Sequence, residues 1–206
     1  MLNQIETKKG RRTVFRLSYM PKKDGDFFNE LNLDDKAREE IMKLPKIQKS
    51  KDRMLELLDG PFRPNLKFRR QTRFSDSTFP VFYSALNEET ARVEAGYWFK
   101  KYYRERPAFY QTFSCTFDGQ EKDLRPLAHR WPDLVHDNDY SFCNRLGAEA
   151  KDLGIDGLIT PSVRHESGAN MPIFTRKSVS KPKLGTLISM TFHAESDEVV
   201  VASSPP

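Results

Sequence analysis

The chain has 206 residues, 37% of them hydrophobic, with a mean hydropathy of -0.69. That length suits one domain with a real core. No apolar run reaches membrane-spanning length and the N-terminus has no apolar signal core, so a cytoplasmic protein without a membrane partner is expected, although an effector exported by a signal-less route would look the same.

Charged residues make up 31% of the chain, against roughly a quarter in an average protein. The formal charge of +5 and the pI near 9.1 suit an anionic partner, either nucleic acid or a small dinucleotide. The basic segments Lys8–Arg12, Lys46–Arg53, Arg63–Arg73 and Arg176–Lys183 are scattered and lack interleaved aromatics, which favours a solvated surface over a nucleic-acid interface. Aromatics reach 12%, with 15 Phe, as in a fold with aromatic-lined pockets. Cys115 and Cys143 make no disulfide framework and point to a reducing compartment. The histidines His129, His136, His165 and His193 show no metal-ligand spacing, so no metal is expected.

Taken in order, residues 1–12 read as a loose basic arm and residues 202–206 as a frayed tail, with one domain spanning 13–201. Thr13–Tyr19 alternates as a strand that carries Arg16. Residues 26–58 read as a polar helical insertion: Leu33, Ala37, Ile41 and Leu44 share one helix face, and a second short helix covers Lys51–Leu58. Gly60-Pro61 closes it. Pro80–Ala85 is a strand by its β-branched and aromatic content, and Asn87-Glu88-Glu89 opens a helix, with Asn as the cap and two carboxylates at the positive end. Pro107 ends that helix. Ala108–Phe117 is a strand, with Asp118-Gly119 as a turn. Asp139 caps a helix over Ser141–Leu153 that stops at Gly154. Further strands follow at 157–160, 171–175 and 186–194.

The helix after Asn87 holds the most informative residue. Its apolar stripe runs Ala91, Ala95, Trp98, Tyr102, and Glu94 falls on the same stripe. A carboxylate there is costly to bury unless it is paired or used. Either it pairs with Arg73 or another base as a structural ion pair, or it belongs to a site.

The stretch RFSDSTFPVFYSALNEETARVEAGYWFKKYY, residues 73–103, together with LGIDGLITPSVRHESGANMPIF within 141–175, resembles the RES-domain family, which is named for an Arg, a Glu and a Ser. The two blocks cover about a third of the chain, in the family's order. On this resemblance Arg73 matches the loop arginine, Tyr83 the strand tyrosine, Glu94 the helix glutamate, Ser162 the signature serine and Asn170 the asparagine after it. Arg16, with Arg63 as its rival, is the candidate first-strand arginine. The family usually has Gly near the loop arginine, and this loop has none. The resemblance implies an α+β, ADP-ribosyltransferase-like fold with a split, largely antiparallel sheet and peripheral helices. It also implies a toxin that consumes NAD as substrate, neutralised by an antitoxin or immunity protein, with 26–58 as a contact surface. A homodimer is compatible with it.

The residues fit that chemistry. No P-loop, GxGxxG, HExxH or GxSxG motif is present, so phosphates must be held by side chains, and arginine's fork suits them. Arg73 and Arg16 are the expected clamps, Glu94 the stabiliser of a ribosyl cation and Tyr83 a partner for nicotinamide or ribose. Ser162 and Asn170 are expected to bond ribose or phosphate; outside the resemblance each is an ordinary loop residue. Hydrolysis, phosphorolysis and ADP-ribosyl transfer to a protein all use the same Glu and Arg. A basic nucleic-acid-binding module and an inactive fold kept for partner binding are the rivals from other classes.

Overall fold

Two long strands carry the frame of the computed structural model, which describes residues 1–20, 51–63 and 71–203. The strands are β1 (Lys8–Met20), β2 (Phe82–Ala85), β3 (Ala108–Asp123), β4 (Gly157–Pro161), β5 (Ala169–Ile173), β6 (Val179–His193) and β7 (Glu198–Ser203). The α-helices are α1 (Lys51–Asp59), α2 (Glu88–Tyr102) and α3 (Ser141–Asp152). Strands β1 and β3 pair antiparallel from Lys8↔Glu121 to Met20↔Phe109.

From this ladder the sheet closes on itself. β1 meets β2 at one described pair, Phe15↔Ala85, β2 pairs with β5, β5 with β4, and β4 returns to β3. Only the β3–β4 pairing is parallel among those described; β6 and β7 extend the sheet beyond β3, antiparallel throughout. The result is a mixed α+β fold with a largely antiparallel sheet and few helices. No described helix is long and apolar enough to cross a membrane.

The packing follows the strand period of two. Phe113, Cys115 and Phe117 of β3 point the same way and meet Val14, Phe82, Met171 and Ile173 in one buried cluster, covered by Leu57 and Leu58 of α1. A second cluster gathers Cys143, Leu146 and Ala150 of α3, at helical spacing, under Phe74, Leu134 and Leu158. A third sets Phe99 of α2 against Ala108, Tyr110, Ile188 and Met190.

Several expectations change, among them the cap of α3, where Tyr140 takes the N-cap position without a side-chain bond and Asp139 Oδ1 accepts from the Ser141 amide at 2.8 Å. The basic arm at 1–12 is built in: Leu2 is fully buried, and β1 begins at Lys8 because β3 supplies a partner that far. Asp118-Gly119 is not a turn, since β3 runs through it to Asp123. Gly119 serves close approach instead: an added Cβ would lie 2.6 Å from the Asp156 carboxylate, whose Oδ2 accepts from the Gln120 amide at 2.8 Å. Ala202 and Ser203 pair with Ser189 and Ile188 rather than fraying. Finally, β5 lies at 169–173 and β6 starts at Val179, each earlier than the sequence signals. The first helix of the expected insertion lies outside the described residues; the second is α1.

Gly119→Ala therefore forces a methyl group against a fixed carboxylate. We expect a loss of about 1–3 kcal/mol, typical of overpacking, read as a lower denaturant midpoint at unchanged m-value. A wild-type midpoint would show that Asp156 yields freely.

Candidate functional site

The chain passes from β2 into α2 through only Leu86 and Asn87, so the start of the helix is fixed to the sheet. The Leu86 amide bonds the Ala169 carbonyl at 2.9 Å, and the Asn87 side chain accepts from the Thr90 amide at 2.7 Å, the expected cap. Glu94 follows within two turns. Its Oε1 accepts from Ser162 Oγ at 2.7 Å and from Asn170 Nδ2 at 2.5 Å. Ser162 Oγ itself accepts from the backbone amides of Arg164 and His165, both at 3.1 Å. A hydroxyl has one proton and two lone pairs, so these amides leave the proton directed at Glu94. Asn170 sits in β5 opposite both Ala85 and Thr160, which brings it under the helix.

Three residues picked from distant sequence blocks thus converge on one oxygen. Both partners of Glu94 are neutral, and among the described residues no base pairs with it.

Glu94 borders an open cleft of about 450 Å³, lined also by Asn170, Arg16, Ala91, Ala95 and Trp98 among others. The apolar stripe of α2 is this cleft's wall more than a core face. Trp98 and Tyr102 are 39% and 55% exposed, and Phe99 is the aromatic that enters the core.

Arg16 is half-buried on β1 at the same cleft. Its Nη1 donates to the Tyr83 carbonyl at 2.6 Å, and its guanidinium lies 5.0 Å from the Phe82 ring. Burial pulls its pKa down to about 10, against the opposing pull of Cys115 and Tyr83. It forms no ion pair among the described residues. Of five N–H donors, the described partners use one.

Tyr83 lines the cleft too, but its hydroxyl is directed away from it. Its hydroxyl accepts from the Phe74 amide and donates to Thr72 Oγ1, each at 2.8 Å. Burial pushes its pKa up to about 12. It braces the loop that carries Arg73, and Asn144 of α3 pins the same loop through the Thr72 and Arg73 carbonyls at 2.7 and 2.8 Å. Arg73 does not reach the cleft lining: its Nη1 donates to the His136 carbonyl at 2.8 Å and its guanidinium lies 4.7 Å from the Tyr140 ring. Arg63 is exposed after α1 and pairs with Glu56, away from the cleft. The structure therefore brings together Glu94, Ser162, Asn170 and Arg16, and directs Arg73 and the Tyr83 hydroxyl away from them.

Sequence reasoning missed two features. Tyr19, Tyr103 and Tyr110 also line the cleft; the dense aromatics at the ends of β1 and α2 were the available signal. The turn after Ser162 is also held, since His165 Nδ1 lies 2.9 Å from Thr90 Oγ1 and Arg164 pairs with Asp137 while stacking 3.7 Å over Tyr97. No group of three His, Cys, Asp or Glu among the described residues could hold a metal.

A family model described as RES domain matches residues 46–193. No curated protein matches the chain. Among solved structures, the chain is similar to the crystal structure of the M. tuberculosis MbcT-MbcA toxin-antitoxin complex, with a TM-score of 0.53 and 17% identity over 90% of this chain and 87% of that chain. At that identity the likeness is one of fold.

Two outcomes follow from the cleft's electrostatics. Arg16 has no counter-charge among the described residues, so Arg16→Met should leave the melting temperature at pH 7 unchanged or raised; a clear drop would mean the guanidinium is a structural tie. For Tyr83 the raised folded pKa means the unfolded chain loses its proton first. The stability it contributes is intact below pH 10 and is lost between pH 10 and about 12. Arg16 opposes this, because its lowered pKa adds stability as pH rises past about 10. Arg16→Met should therefore unfold more steeply with pH in that window, as followed by circular dichroism.

Proposed function

The chain belongs to the RES-domain family, and on that premise we propose that it consumes NAD by cleaving the nicotinamide–ribose bond, through hydrolysis or phosphorolysis. The observation that carries this reading is the Glu94 carboxylate, fixed through Oε1 by two neutral donors at the wall of a cleft, with no base among the described residues to neutralise it.

Nicotinamide in NAD is already a cationic leaving group and departs neutral with the bonding electron pair. What needs help is the oxocarbenium-like ribose that remains. With Ser162 and Asn170 occupying Oε1, the second oxygen of Glu94 is the one offered to that cation. Opposite charges about 4 Å apart are worth roughly 4 kcal/mol at an effective dielectric of about 20. Realised only in the transition state, that is about a thousandfold in rate. Water then yields ADP-ribose and a proton, and inorganic phosphate yields the corresponding ADP-ribose phosphate.

Arg16, desolvated and with donors to spare, takes the pyrophosphate. Tyr83 positions it through its carbonyl and braces the Arg73 loop through its hydroxyl. Arg73 acts in this reading by holding that loop against the 136–140 segment. The single Phe15↔Ala85 pair that joins β1 to β2, with α2 packed on both strands, supports reading the fold as ADP-ribosyltransferase-like. An enzyme that drains NAD needs restraint in its own cytoplasm, and a similar solved structure is a toxin-antitoxin complex. A neutralising protein partner belongs to the same proposal.

Purified protein incubated with NAD, with and without phosphate, should release nicotinamide. Glu94→Gln should retain fold and NAD binding and lose about two to three orders of magnitude in turnover. Intact NAD under both conditions sinks the reading. A large melting drop with turnover preserved in the folded fraction reassigns Glu94 to structure.

A further inference from the structure

We infer that the aromatic rim formed by Tyr19, Tyr103 and Trp98 is the subsite for the adenine base of the dinucleotide, which rests on the reading of Glu94 and Arg16 given above. These three rings are 45%, 52% and 39% exposed. They line the same cleft as Glu94. Large exposed aromatics gathered at a cleft mark a binding surface rather than a core.

The order of groups along the cleft supports the assignment. On β1, Phe15 pairs with Ala85, which pairs with Asn170, which bonds Glu94; this is the reacting end. Arg16 comes next. Tyr19 lies three residues further, roughly 10 Å along the strand. On α2, Trp98 is one turn beyond Glu94, and Tyr103 follows the end of the helix, roughly 13 Å along its axis from Glu94. Carboxylate, guanidinium and aromatic rings thus succeed one another as ribose, phosphates and base do in an extended dinucleotide.

The backbone of β1 explains how all this is reachable. Among the described residues β1 pairs with β2 at Phe15 alone, so its stretch from Arg16 onward presents an open edge, and residues 15–19 all line the cleft. The rim is also preset. Tyr19 stacks on Tyr103 at 5.7 Å and 14°, and its other side is held edge-on by Tyr110 at 5.7 Å. Trp98 stacks on Tyr102 at 5.6 Å and 4°, with the Lys101 ammonium 5.5 Å from the indole. Rings fixed in this way lose little entropy when a base stacks on them.

The test compares substrates and probes on the full chain. Tyr103→Ala and Tyr19→Ala should each lower kcat/KM for NAD by about 10- to 100-fold, as for loss of one base stack. Nicotinamide mononucleotide, which lacks adenine, should be turned over equally by wild type and variants. Tyr103→Phe, which keeps the ring, should restore NAD turnover and guards against a folding defect. Independently of turnover, AMP should quench Trp98 fluorescence in wild type, and Trp98→Leu should remove that signal. Equal losses with both substrates, or variants that bind AMP as wild type does, overturn the subsite. A wild-type protein that quenches with AMP and leaves NAD intact keeps the subsite and removes the reaction.

Discussion

One carboxylate oxygen ties the structure together. Glu94 Oε1 receives a hydroxyl from the β4–β5 turn and an amide from β5, and so joins α2 to two strands it does not follow in sequence. The arrangement needs every upstream device to hold. The Asn87 cap fixes where α2 starts, the β2–β5 ladder sets Asn170 under the helix, and two backbone amides orient the Ser162 hydroxyl. Loss of any one would leave a partly desolvated carboxylate without its donors, which is more costly than never having buried it.

The cleft concentrates charges that the described residues leave without a counter-charge. Arg16 is a desolvated cation satisfied by a carbonyl and a ring, and Glu94 is an anion satisfied by neutral donors. The two charges neutralise neither each other nor any described neighbour. A ligand with a cationic centre near one end and phosphates behind it would complete both. The aromatic rim continues the same logic, because exposed rings at a cleft cost solvation until something stacks on them. Stability comes instead from the β1–β3 ladder and the three clusters, all of them ordinary close-packed apolar surfaces.

The sequence by itself determined the elements that rest on local physics. Asn87 as cap, the helix after it, the strand around Phe82, and α3 with Cys143, Leu146 and Ala150 inward are readable because capping and periodicity are short-range. Glu94 was legible as a charge on an apolar stripe, and Ser162 and Asn170 only through the resemblance of their block. Tertiary structure decided the rest. Gly119 reads as a turn residue and is a close-approach residue, because the carboxylate that requires it comes from Asp156, 37 positions later. Leu2 and Lys8 read as a loose arm and are held, because β3 pairs with Lys8 and the α3 cluster takes Leu2, whose amide bonds Glu149, each across more than a hundred residues. Arg73 matched its motif and is turned toward His136 and Tyr140, while Arg16, in a strand of unremarkable pattern, faces the cleft. A side chain's partner is fixed by which strands lie side by side, and strand order is a property of the whole closed sheet that no local window contains.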